Sequence, residues 1–89
     1  MNKLIIAIIR DDDNERVSAK LTAEDYRVTQ IASTGGFLRS GRSTLLIGVE
    51  GERVPRALEV LRENCTAARS PQEKKATVFV LNVDEFTQL

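Results

Sequence analysis

Residues 27–49 read RVTQIAS, then TGGFLRSGRS, then TLLIGV. The first seven alternate polar and apolar side chains, as a half-buried strand does. Residues 34–43 hold three glycines and two arginines and read as a loop. The last six are a second, nearly continuous apolar strand run. Two strands therefore follow one another with no helix between them. Upstream, residues 3–9 are a β-branched apolar run, again a strand. Asp11, Asp12 and Asp13 follow, the residue type that caps a helix and suits its first turn. That helix runs from Asn14 to about Glu24, with Val17, Leu21 and Tyr26 on its buried side. Downstream, Gly51 punctuates the chain and Pro55 fits the first turn of a helix. Val54, Leu58 and Leu61 recur at helical spacing, and Ala57 and Cys65 extend the stripe, which predicts a second helix over 54–64. Residues 66–75 are polar and include Ser70-Pro71, a loop; residues 77–83 form a fourth strand. A short tail, 84–89, carries Phe86 and Leu89.

The order is strand, helix, strand, strand, helix, strand. This βαββαβ order predicts an α+β, ferredoxin-like sandwich: an antiparallel four-stranded sheet with two helices on one face. The length of 89 residues fits a single domain, 1–89. A sheet with one wet face should show alternating strands. Here residues 4–9, 45–49 and 78–81 are almost unbroken apolar runs, and two helices can cover only one face. A second copy of the chain is the economical cover for the other, so self-association is expected.

Composition narrows the function. Thirteen Lys plus Arg balance thirteen Asp plus Glu, which argues against bulk electrostatic capture of a nucleic-acid polymer or an anionic membrane. No histidine is present, which excludes His-based triads, bases and metal sites. Cys65 is the only cysteine, so there is no internal disulfide and no cysteine zinc site. A lone thiol fits a reducing cytoplasm. The apolar run 4–9 is too short for a signal peptide core or a membrane span. The expected location is cytoplasmic.

The stretch 32–44 is the most chemical in the chain. Adjacent Gly35 and Gly36 let backbone N–H groups converge on an anion. Arg39 and Arg42 offer planar phosphate contacts; Ser33, Thr34 and Ser40 add hydroxyl donors; Phe37 and Leu38 offer an apolar platform for a base. The same residues also read as a hairpin loop with solvated arginines. The stretch is not a Walker loop, since no Gly-Lys-Ser/Thr follows and the next element is a strand. Arg27 and Thr29 share one face of a strand, which makes them either phosphate contacts or plain solvent-face residues. Phe79, inside an apolar run, reads as core. Cys65 reads as a packed small hydrophobe, and Glu59 and Glu63 as a solvated ridge. No nucleophile–base pair can be assembled, so no enzyme activity, metal site or cofactor is expected.

Through these residues the chain resembles the PII-like cyclic di-AMP receptor proteins, found chiefly in Gram-positive bacteria. The resemblance runs through Leu4-Ile5-Ile6-Ala7-Ile8, Tyr26-Arg27-Val28-Thr29 and Ala32-Ser33-Thr34-Gly35-Gly36-Phe37-Leu38-Arg39-Ser40-Gly41. It continues through Thr44-Leu45-Leu46-Ile47-Gly48-Val49, Glu63-Asn64-Cys65 and Ala76-Thr77-Val78-Phe79-Val80-Leu81. It implies a homotrimer with three ligand sites in the clefts between neighbours, and a signalling role without catalysis. Carried over, Arg27 and Thr29 would hold the phosphate-ribose part of cyclic di-AMP. Gly35, Gly36, Phe37 and Leu38 would supply backbone donors and an adenine-facing wall, with Thr34 and Arg39 beside them. Gly48 would permit close backbone approach, and Phe79 with Gln88 would close the pocket. The loop 35–42 would be both ligand cradle and switch, read by a downstream protein the sequence does not name.

Two positions depart from the family pattern. Asp25 stands where the family commonly has an asparagine that contacts ligand. Residues 66–75 replace a longer loop rich in Gly, Asn and Tyr, making this a short-loop variant. Two other readings therefore stand beside the first: a PII-like trimer that binds ATP, ADP or another nucleotide, and a structural or interaction trimer that binds none.

Overall fold

The computed structural model describes residues 1–33, 41–67 and 74–89. Its elements are β1 (Lys3–Arg10), α1 (Asn14–Ala23), β2 (Arg27–Ser33), β3 (Arg42–Val49), α2 (Val54–Asn64) and β4 (Ala76–Asn82). One-turn 3-10 segments, Asp11–Asp13 and Gly51–Arg53, lead into the two helices. The strands lie in the order β2-β3-β1-β4, every neighbour antiparallel. This is the ferredoxin-like arrangement. The expected loop 34–43 is two residues too long at its C-terminal end. Arg42 and Ser43 already pair with Arg10 and Ile9.

Strand parity sets the layers. Ile5, Ala7 and Ile9 of β1 and Leu45, Ile47 and Val49 of β3 are buried in one cluster with Val17 and Leu21 of α1 and Ala57, Val60 and Leu61 of α2. Their even-numbered neighbours Leu4, Ile6, Ile8 and Leu46 point to the opposite face and stay half-exposed. The continuous apolar runs thus divide by alternation into a helix-covered face and a face that no helix covers. Phe79 corrects the core assignment made from sequence. It pairs with Ile6 on the uncovered face of an edge strand and is 51% exposed. Hydrophobic content placed it inside; register and edge position place it outside.

The acidic triplet also differs from expectation. Asp13 occupies the N-cap position of α1 yet makes no capping bond. It is buried. Its Oδ1 accepts from Arg16 Nη2 (2.8 Å) and Thr66 Oγ1 (2.5 Å), and its Oδ2 accepts from the Thr66 amide (3.0 Å). The carboxylate therefore ties the start of α1 to the chain leaving α2, and hydrogen bonds to a charged group of this kind are the strong ones. Among the described residues, no group of acidic and cysteine side chains is placed to hold a metal ion.

The end of α1 explains Asp25. The Tyr26 amide donates to the Leu21 carbonyl (3.0 Å) and the Asp25 amide to the Thr22 carbonyl (3.0 Å), a Schellman closure with Asp25 at C′. Its φ is 66°, the left-handed region where Gly, Asn and Asp are the tolerated residues. Arg53 caps the same turn, donating to the Glu24 carbonyl (2.5 Å) and stacking 4.1 Å from the centre of the Tyr26 ring. An acidic side chain at a helix C-terminus also opposes the helix dipole. Asp25→Gly should therefore raise unfolding stability by about 1 kcal/mol, measured by urea denaturation at fixed protein concentration. An unchanged or lowered midpoint would refute the strain assigned to this turn.

Cys65 is buried where α2 ends. Burial, and next the neighbouring Asp13 carboxylate, push its thiol pKa up, and the thiolate is the reactive form. In the folded protein at neutral pH, iodoacetamide should modify Cys65 far more slowly than after unfolding. Equal rates in both states would contradict this.

Candidate functional site: a cavity on the uncovered face

β2 and β3 run side by side, with Arg27 paired to Gly48 and Thr29 to Leu46, while Gly48 pairs on its other side with Leu4 of β1. These residues share the uncovered face at one end of the sheet. The chain leaving β4 returns across them, starting at Val83, whose amide donates to the Asn2 carbonyl (3.1 Å). Between sheet and tail lies a cavity of about 340 Å³, lined by Met1, Leu4, Arg27, Thr29, Leu46, Gly48, Val83, Glu85, Phe86 and Gln88. That volume is at the small end of the roughly 300–1,000 Å³ typical of small-molecule sites. The walls are mostly aliphatic and aromatic. Four polar side chains, of Arg27, Thr29, Glu85 and Gln88, break them.

The N-terminus is fastened beside this cavity. The Met1 amine pairs with Glu50 (2.6 Å), and the Asn2 side chain accepts from the Gly51 amide (2.8 Å). The Met1 thioether consequently lies against Gly48. A Cβ on that glycine would sit 2.5 Å from Met1 Sδ. The space opened by the missing side chain of Gly48 is occupied here by the chain's own methionine.

Arg27 makes no hydrogen bond or ion pair among the described residues. Other arginines are committed. Arg16 serves Asp13 and the Asn64 carbonyl, and Arg53 serves the end of α1. Arg56 serves Glu24 through two bonds (2.8 and 2.6 Å), Glu59 (2.9 Å) and Glu63 (3.5 Å). That last network lies along the outer groove between α1 and α2. The Arg56 hydrogen bonds, foremost, hold the Glu24 carboxyl below its ordinary value. Any stability this lends is present at neutral pH and lost as acid protonates Glu24. The network is solvent-exposed, with one guanidinium shared among three carboxylates, and surface pairs of this kind contribute little.

Of the residues singled out from sequence, the fold brings Arg27, Thr29, Gly48 and Gln88 into one cavity. Phe79 shares the face but lies on β4, beyond β1, and does not line it. Asp25 is exposed at the α1 turn and does not line it either. Thr34, Gly35, Gly36, Phe37, Leu38 and Arg39 lie outside the described residues, as does most of the shortened loop 66–75. Sequence reasoning passed over Met1, Leu4, Leu46 and Glu85. Parity could have found the two leucines, since each lies two residues from a position already on that face or is paired with one. Nothing periodic marks the tail.

A crystal structure of a functionally unknown protein from Pediococcus pentosaceus ATCC 25745 superposes with a TM-score of 0.77 at 38% identity, covering 99% of this chain and 97% of that one. Residues 2–72 match the family described as cyclic-di-AMP receptor. That match spans Arg27, Thr29, Gly48 and the glycine-rich stretch between β2 and β3, and by it the chain belongs to the cyclic-di-AMP receptor family, a PII-like family.

Proposed function

We propose that this protein is a non-catalytic bacterial cytoplasmic sensor, a homotrimer that binds cyclic di-AMP between subunits and passes the signal to another protein. The observation that carries the reading is the cavity on the uncovered sheet face. It sets an arginine that has no partner among the described residues in one mostly apolar cavity with Thr29, Glu85 and Gln88. A guanidinium makes charge-assisted bonds to a phosphodiester, and the apolar walls suit the faces of a base.

Hairpin geometry supports a site shared between copies. Arg27 and Gly48 lie at one end of the β2–β3 hairpin, and the loop leaves from Ser33 at the other. Six residues of strand separate them, roughly 20 Å at strand rise. Gly35, Gly36, Phe37 and Leu38 belong to the loop rooted at the far end. A ligand held by Arg27 would meet that loop most directly if a neighbouring copy presented it. The half-exposed Leu4, Ile6, Ile8 and Leu46, with exposed Phe79 and Leu81, supply the apolar surface for the neighbours. In this reading Thr29 and Gln88 fix the ribose-phosphate, Phe79 packs against the adjoining copy at the edge of the cleft, and the loop 35–42 is cradle and switch. Asp25 belongs to the helix turn.

Titration calorimetry with cyclic di-AMP, with ATP and cyclic di-GMP as controls, tests the function, and light scattering tests the assembly. Expected are a trimer mass and saturable binding of one cyclic di-AMP per subunit. Arg27→Ala should keep the fold and weaken binding about 10- to 100-fold, the worth of a hydrogen bond to a charged group. A folded trimer that takes up no cyclic di-AMP, or an Arg27→Ala variant that binds undiminished, would refute the assignment.

A further inference from the structure

Glu85 lines the same cavity as Arg27, yet neither the family resemblance nor the chemistry of the glycine loop gives it a role. Its presence adds a negative charge to the cavity lining. Among the described residues, the ionisable side chains lining the cavity are one guanidinium and one carboxylate. A site built for a polyphosphate gathers several positive groups around it, whereas the described lining of this cavity holds one arginine and one glutamate.

We infer that Glu85 is a specificity-determining residue: it admits a ligand half that carries one phosphodiester charge and excludes nucleotides bearing a polyphosphate chain. The inference rests on the nucleotide-binding reading above and deepens it. One half of a cyclic dinucleotide is a nucleoside with one singly charged phosphodiester. Arg27 can meet that charge. The carboxylate of Glu85 is an acceptor only, suited to a ribose hydroxyl or an exocyclic amine, both donors. The same carboxylate repels the additional negative charges of a di- or triphosphate, and such like-charge juxtaposition is a standard means of rejecting a wrong partner.

The test compares wild type, Glu85→Gln, Glu85→Lys and Glu85→Asp by calorimetry with cyclic di-AMP and with ATP, at low and at physiological salt. Glu85 is exposed and unpaired among the described residues, so these variants should fold as wild type does. Gln keeps the size and an acceptor oxygen but removes the charge. The affinity ratio of ATP to cyclic di-AMP should rise about fivefold in Glu85→Gln at low salt and shrink toward wild type as salt screens the repulsion. It should rise further in Glu85→Lys and stay put in Glu85→Asp. Cyclic di-AMP bound by every variant with an unchanged ratio would overturn the role of Glu85 and leave the receptor reading standing. Wild type that binds ATP in preference to cyclic di-AMP would overturn both, as would a chain in which no variant binds either nucleotide.

Discussion

β1 lies between β3 and β4 and is apolar on both of its faces, while both α-helices among the described residues pack on one of them. Ile5, Ala7 and Ile9 anchor the helix-covered core; Leu4, Ile6 and Ile8 face away from it. Burying the first set gives the layered fold. The second set is left with whatever else the chain or its neighbours provide. The return of the tail across Leu4, Leu46 and Gly48 covers one end of that face, and because it crosses without filling the space beneath, a cavity results. The remainder, around Ile6, Ile8, Phe79 and Leu81, stays half-open or exposed.

The two ends of the sheet are secured by different physics. At the cavity end the links are mostly backbone and terminal: Asn2 to Val49 and Gly51, Val83 to Asn2, and the Met1 amine to Glu50. At the opposite end, where residues 34–40 and 68–73 connect, a buried carboxylate, Asp13, and a half-buried one, Asp11, take over. Asp13 gathers Arg16 and Thr66; Asp11 accepts from the Ser43 hydroxyl, while its amide donates to the Gly41 carbonyl. Asp11 thus fastens the root of the glycine loop to the end of β1, and Asp13 fastens the root of the shortened loop to α1. Buried polar groups paired in this way fix position more than they add stability. Both roots are held whatever the loops themselves do.

The element order was legible in the sequence because period and punctuation agreed. Pro55 at the start of α2, the β-branched run of β1 and the glycines after Ser33 each pointed the same way as the hydrophobic spacing. Where reading failed, a local signal was overridden by register or by a tertiary partner. Phe79 looked like core because its neighbours are apolar, but an edge strand has no second neighbour to cover it. Asp13 looked like a cap and became a buried clamp once Thr66, 53 positions away, supplied its amide. Asp25 looked like a lost ligand contact, whereas the left-handed turn at the end of α1 accounts for an Asn or Asp there without any ligand. Arg27 and Thr29 were found together because strand parity is visible in a sequence, and Gly48 joined them through the family resemblance. Glu85 was not, because a tail without regular structure carries no period from which its position could be read.

Placing a site on the uncovered face has a thermodynamic consequence. A ligand held by Arg27 of one copy and closed over by the loop of another binds the assembly and not the separated chain. By linkage it must stabilise the assembly by as much as assembly strengthens ligand binding. A site within one chain would lack that coupling. Order in the loop would then depend on two conditions, a neighbour in place and a ligand in its cavity. A ligand shifts such an element only by its differential affinity for the ordered form. In that reading, discrimination between ligands would fall on the groups that line the cavity. Among the described residues those groups are one arginine and one glutamate in a mostly apolar wall, which would distinguish ligands chiefly by how much charge they bring.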